Sequence, residues 1–104
     1  GVWTICDKTT GQVIGRAGFS NREGHEDPEL GFVIGVPWQK KGLATEVCTA
    51  LLQYGKEELG FDRVQMLVMP ENRVSLRLAE KLGFHRQDRM TLEGIIHERL
   101  LLEL

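Results

Sequence analysis

Residues 30–45 read Leu30-Gly31-Phe32-Val33-Ile34-Gly35-Val36-Pro37-Trp38-Gln39-Lys40-Lys41-Gly42-Leu43-Ala44-Thr45, and the passage from the first half to the second decides the fold. Residues 30–36 are almost wholly apolar, as a strand covered on both faces should be. From Leu43 the apolar residues fall at 43, 44, 47, 48, 51, 52 and 55, the spacing of an amphipathic helix. Thr45, Glu46, Thr49, Gln53, Lys56 and Glu57 fill the other face, and Gly60 is placed to end the helix in a left-handed conformation. Residues 64–69 then read as a strand stopped by Pro70. Strand, helix and strand in that order imply a parallel pair.

Upstream, residues 2–6 and 13–19 are short runs of strand formers separated by Asp7-Lys8-Thr9-Thr10-Gly11-Gln12, which favours a turn and so a hairpin. Downstream, Asn72 is a good N-cap for a second helix with Leu76, Ala79 and Leu82 on one face, closed by Gly83 and Phe84. Residues 86–92 and 95–104 around Glu93-Gly94 predict a closing hairpin. The order is β-β-β-α-β-α-β-β, an α/β domain with a mixed sheet. At 104 residues and 41% hydrophobic content, with no linker or repeat, the chain suits one domain with one modest core.

A net charge of −2 supplies no bulk basic field, which argues against nucleic acid or an anionic membrane as partner. No run approaches the roughly 18 apolar residues of a membrane span, and the start lacks a signal-peptide layout, so a soluble, cytoplasmic protein is expected. Cys6 and Cys48 are expected to be small buried thiols. His25, His85 and His97 lie far apart without ligand spacing, so no metal site is expected. Trp38 is expected as an interfacial core aromatic, and Met66 and Met69 as core residues.

The junction at residues 36–45 carries the chemistry. Amides in the first turn of a helix have no internal partners and sit at the positive end of the dipole, which suits a phosphate. Gly42 lets backbone approach a ligand, Ala44 stays small, and Lys40 and Lys41 add positive charge. On residue types alone, a solvated turn fits as well as a site. No Gly-Lys-Ser/Thr follows, and no G-x-G-x-x-G after a strand, which disfavours nucleotide hydrolysis and dinucleotide binding.

Gln39-x-x-Gly42-x-Ala44 after the strand resembles the acetyl-CoA loop of the GNAT acyltransferase superfamily, whose pattern is Q/R-x-x-G-x-G/A. In register with it, residues 72–84 resemble the family's N-x-x-S-x-x-x-x-x-K-x-G-F block through Asn72, Ser75, Lys81, Gly83 and Phe84. The segments Glu29-Leu30-Gly31-Phe32 and Gly42-Leu43-Ala44-Thr45-Glu46 are most similar to the branch holding the ribosomal-protein alanine N-acetyltransferases. The likeness covers essentially the whole chain, a single acetyltransferase-like domain over 1–104 that lacks the strand and two helices with which the family's domain opens. Those helices form much of the acceptor wall.

The resemblance implies a GNAT-like mixed sheet with splayed central parallel strands, and acetyl-CoA as acyl donor without a metal. Val33 and Ile34 would offer backbone hydrogen bonds to the pantetheine arm. Gln39, Lys40, Lys41, Gly42, Leu43, Ala44 and Thr45 would form the pyrophosphate loop, and Asn72 would reach the cofactor from the other side. The implied reaction is direct attack of a neutral amine, with an N–H holding the oxyanion and the CoA thiolate leaving. Many relatives protonate that thiolate with a Tyr seven residues after the Asn, where this chain has Ala79, so Ser75 is the implied substitute. Its hydroxyl could equally bond the Asn72 cap region.

Glu29 is the implied base, acting through a water, with Glu26 and His25 as alternatives and a solvated strand-entry residue as the plain reading. A carboxylate near about 4.3 is a poor partner for a lysine near about 10.4 but adequate for an α-amine near about 8, which favours a peptide N-terminus or a similarly acidic small-molecule amine. A non-catalytic CoA-binding or subunit module is the alternative, and a cofactor-free interaction domain the third. If the chain is complete, a homodimer covering the exposed sheet is expected, and a fragment of a longer domain is the competing account.

Overall fold

Asp7 accepts the amides of Thr9 and Thr10 on Oδ1 at 2.8 and 2.9 Å, an Asx turn that reverses the chain between β1 (Val2–Cys6) and β2 (Val13–Ser20). The bonds from Thr10 and Thr9 hold the Asp7 carboxyl below its usual range. The computed structural model describes residues 1–39 and 42–104. Its further elements are β3 (Glu29–Ile34), α1 (Leu43–Glu57), β4 (Arg63–Val68), α2 (Arg73–Lys81), β5 (His85–Leu92) and β6 (Ile95–Glu103). Their order is the expected β-β-β-α-β-α-β-β, and the six strands form one mixed sheet arranged β1-β2-β3-β4-β6-β5.

Cross-strand pairing puts Ala17 beside Phe32 and Phe19 beside Leu30. Onto that face α1 brings Cys48, Leu51 and Leu52, and α2 brings Leu76 and Ala79, forming one core with Val64, Met66, Val68, Phe84 and Leu100. The opposite face is open: Val2 is 69% exposed and Val33 61%. Residues 30–36 are therefore not covered on both faces. Leu30 and Ile34 point inward, Val33 points outward, and among the described residues no helix packs over it.

The strand also stops at Ile34 rather than Val36. The Gly35 amide is spent on the Ile14 carbonyl at 2.7 Å, and Val36–Trp38 turns as a 3-10 helix around Pro37, which has no N–H to extend a ladder. Cys6 is exposed, contrary to expectation, because the register shifts between Ile5 and Cys6 on this edge strand and sets Cys6 opposite Val13, itself 60% exposed. Cys48 is buried, and burial pushes its thiol up to about 11. Met66 lies in the core, whereas Met69, just past the end of β4, is 40% exposed.

Both helix ends follow local chemistry. Asn72 Oδ1 accepts the Ser75 amide at 3.2 Å to cap α2. At the other end Gly83 (φ 101) closes a Schellman motif, with its N–H on Glu80 and the Phe84 N–H on Ala79. Helix α1 stops at Glu57, with Gly60 (φ 70) three residues on and the Phe61 amide folded back to the Gly55 carbonyl.

Strands β3 and β4 run parallel, as expected, but their pairing is confined to Glu29 opposite Gln65, with the Gln65 amide on the Pro28 carbonyl at 2.9 Å. Past that point the two strands part. The edge of β3 from Leu30 to Ile34 is left without a ladder partner on the β4 side.

Candidate functional site

The parting of β3 from β4 opens a cleft of about 540 Å³, walled by the end of β3, the loop into α1 and one face of α2. Val33, Ile34, Gln39, Gly42, Ala44, Thr45, Asn72 and Ser75 all line it. These residues span some forty positions in sequence and come from four segments, so their convergence is a tertiary fact. Leu43 starts α1 half-buried beside the cleft without lining it. Lys40 and Lys41 lie outside the described residues.

Each wall has a local cause. Gln39 Nε2 donates to the Ile34 carbonyl at 3.0 Å, which pins the loop against the strand end. Gly42 is the N-cap of α1 at φ 76 and ψ 3, a left-handed geometry, and no side chain caps the helix there. A Cβ at Gly42 would meet nothing within 4 Å, so the backbone stands open to a ligand. The first-turn amides after it have no intrahelical acceptors, the first ladder bond being Glu46 to the Gly42 carbonyl at 3.0 Å. Trp38 is half-buried against Gly35 and lines the cleft, so it serves both packing and the pocket wall.

Ser75 lines the cleft. The cap bond uses the Ser75 backbone amide, and the hydroxyl makes no hydrogen bond among the described residues. The competing reading, a hydroxyl spent on the cap, is therefore not what the geometry contains. Ala79 is 0% exposed and packs in the core, so the position where many relatives carry Tyr has no access to the cleft here.

Glu29 does not line the cleft. It sits where β3 and β4 join, with Arg22 Nη2 at 2.9 Å and Nε at 3.0 Å, both on Oε1. His25 and Glu26 belong to a separate polar hollow of about 380 Å³ with Asp27, Arg63, Gln65 and Arg99. There the buried Gln65 Nε2 donates to the Asp27 carbonyl at 3.2 Å and faces His25 Nδ1 at 3.1 Å. A carbonyl only accepts, so the Gln65 amide nitrogen points this way, with His25 Nδ1 beside it. His25 thus sits in a hollow apart from the cleft.

The α2 residues Val74, Arg77, Leu78 and Lys81 also line the cleft and were not anticipated as a group. Their spacing of three, four and seven is a second helical face beside the core face, a signal present in the sequence but indistinguishable there from a solvated surface. Among the described residues no carboxylate lines the cleft.

The Acetyltransferase (GNAT) domain family matches residues 1–85, and the chain belongs to that family. It is 33% identical over 106 residues to the [Ribosomal protein uS5]-alanine N-acetyltransferase of Escherichia coli (strain K12), covering 96% of this chain and 55% of that protein. With the uncharacterized protein YkkB of Bacillus subtilis (strain 168) it shares 34% identity over 86 residues, 81% of this chain and 50% of the relative. The chain thus spans about half the length of the curated relatives it matches.

Among solved structures, a ribosomal-protein-S5-alanine acetyltransferase from Vibrio fischeri matches with a TM-score of 0.88 at 17% identity, over 98% of this chain and 60% of that one. An acetyltransferase from Agrobacterium tumefaciens str. C58 matches with a TM-score of 0.87 at 24% identity, over 100% and 61%. These two likenesses establish the fold. No helix among the described residues is long and apolar enough to cross a membrane.

Proposed function

We propose that residues 1–104 act as one domain of an N-acetyltransferase that moves an acetyl group from acetyl-CoA to a primary amine. The observation that carries this reading is the cleft itself, where the unpaired edge of β3, the open α1 N-terminus at Gly42 and the Ser75 hydroxyl meet. Its volume of about 540 Å³ falls within the range of roughly 300–1,000 Å³ usual for small-molecule sites.

When bound, acetyl-CoA supplies an activated acyl group open to direct attack by a neutral amine. The chain's own residues hold and polarise. The free edge of β3 would take the pantetheine arm as an added strand through Ile34, whereas the Val33 backbone faces β2 opposite Arg16 and Val33 would contribute its position on the cleft wall. An N–H on the free edge would hold the negative charge that develops on the carbonyl oxygen. The amides of Gly42, Leu43, Ala44 and Thr45, with Gln39, Lys40 and Lys41, form the pyrophosphate loop, and Asn72 contacts the carrier from α2. Ser75 donates a hydrogen bond to the departing sulfur. Glu29 relays the amine proton through water, its Arg22 pair occupying Oε1 and leaving Oε2 without a partner among the described residues. No residue is acylated in this scheme.

The relative that acts on an alanine of ribosomal protein uS5 makes a peptide α-amine the first acceptor to try. A non-catalytic CoA-binding module is the second reading, favoured by a cleft that no carboxylate lines among the described residues. Calorimetry with acetyl-CoA tests binding, and CoA thiol release with peptide and small-molecule amines tests transfer. Binding without thiol release for any amine selects the second reading, and no binding sinks both. The exposed face around Val2 and Val33 supports a homodimer that covers it. Light scattering on dilution reads that directly, and a monomer at high concentration rejects it.

A further inference from the structure

The chain carries a net charge of −2, yet the described residues that line the cleft include the cations Arg77 and Lys81 and no carboxylate. The two residues stand one helical turn apart on α2, across the cleft from the Gly42 end of α1. Arg22, Arg63, Arg86, Arg89 and Arg99 each pair with a carboxylate; of the described cations that do not, among them Lys8, Arg16, Lys56 and Arg73, Arg77 and Lys81 are the ones that line the cleft. The carboxylate next to them in sequence, Glu80, projects away to Arg86 at 3.4 Å. Two uncompensated donors are thus held side by side on a rigid helix.

Coenzyme A has two separate phosphate sites, a pyrophosphate and a monoester on the 3′ carbon of its ribose. Helix amides beside Gly42 suit the first. A compact dianion is better matched by a guanidinium fork and an ammonium than by amides already committed. We propose that Arg77 and Lys81 bind the 3′-phosphate, which makes this domain selective for coenzyme A over its 3′-dephospho form. The inference rests on the proposed acyl-CoA function and adds to it the residues that read the carrier's phosphorylation state.

The test is calorimetric: dissociation constants of CoA and 3′-dephospho-CoA for the wild type, Arg77→Gln, Lys81→Gln and the double variant, with thermal unfolding of each. Both side chains are exposed, so the variants should melt with the wild type. The wild type is expected to prefer CoA by about 10- to 30-fold, as two charge-assisted contacts at a solvated site allow. The preference should shrink on raising salt. The double variant should bind both ligands equally, at the wild-type affinity for the dephospho form. A wild type without preference, or a double variant that keeps it, overturns the assignment while leaving CoA binding intact. A wild type that binds neither ligand overturns the acyl-CoA reading and this inference with it.

Discussion

Replacing Ser75 by Ala separates two roles that coincide at the start of α2. The cap bond runs from the Ser75 amide to Asn72 Oδ1 at 3.2 Å, and Ala keeps that amide. Loss of the hydroxyl should therefore leave stability within about 0.5 kcal/mol, with the better helix propensity of Ala acting in its favour. On the proposed mechanism the hydroxyl would face a departing thiolate in the transition state, and a hydrogen bond to a charged group is worth about 1.5–3 kcal/mol. At about 1.4 kcal/mol per tenfold, turnover should fall by about 10- to 150-fold. Acetyl-CoA affinity should hardly change, because the interaction strengthens only as the bond to sulfur breaks.

Asn72→Ala supplies the contrast. It removes the cap acceptor, at about 1 kcal/mol, and should lower the melting temperature by roughly 4–8 °C. Single-turnover thiol release, calorimetry with acetyl-CoA and thermal unfolding of both variants decide the matter. The reasoning is refuted if Ser75→Ala keeps full turnover and melts as early as Asn72→Ala.

Gly42→Val should abolish acetyl-CoA binding with the fold retained. The left-handed φ of 76 costs an L-residue about 1–2 kcal/mol, and the side chain enters space that is now open, so undiminished affinity would remove the loop from the site. Lys40→Ala and Lys41→Ala should each weaken binding by only roughly 0.5–1.5 kcal/mol, a loss that calorimetry resolves. Glu29→Gln should depress turnover most below neutral pH, where neutral amine is scarce, and parallel pH profiles for variant and wild type would exclude it as base. At pH 8 a thiol reagent should label Cys6 quickly and Cys48 only on unfolding. Burial raises the Cys48 pKa to about 11, so the folded state keeps a proton that the unfolded chain releases near 9.0. Stability from this group is complete below about pH 9 and declines as pH rises toward about 11, which a melting series across that range would detect.

The legible parts of this protein were those whose cause lies within one or two helical turns of sequence. Asn72, Gly83 and Phe84 announce the ends of α2 because capping bonds reach only three to five residues. The passage from Leu30 to Thr45 announces a strand leading to a helix start for the same reason. With the block that starts at Asn72, its resemblance to family motifs points to Val33, Ile34, Gln39, Gly42, Ala44, Thr45, Asn72 and Ser75, all of which line the cleft.

What the tertiary structure decided depends on partners far apart in the chain. The insertion of β6 between β4 and β5 and the single Glu29–Gln65 pair that lets the strands part are set by competition among edges, which no local pattern encodes. Val33 lies open, although its segment reads as fully covered, because burial is a property of what packs on a face rather than of the residue. A register shift decides the exposure of Cys6, and a core contact shuts Ala79 out of the cleft. Arg77 and Lys81 share a cleft with Gly42 only because the fold brings that face of α2 to the same hollow as the start of α1. The sequence alone determined local conformation and family, through short-range hydrogen bonding and side-chain spacing. The site's electrostatics came from tertiary packing, because Coulomb interactions depend on distance in space and not along the chain.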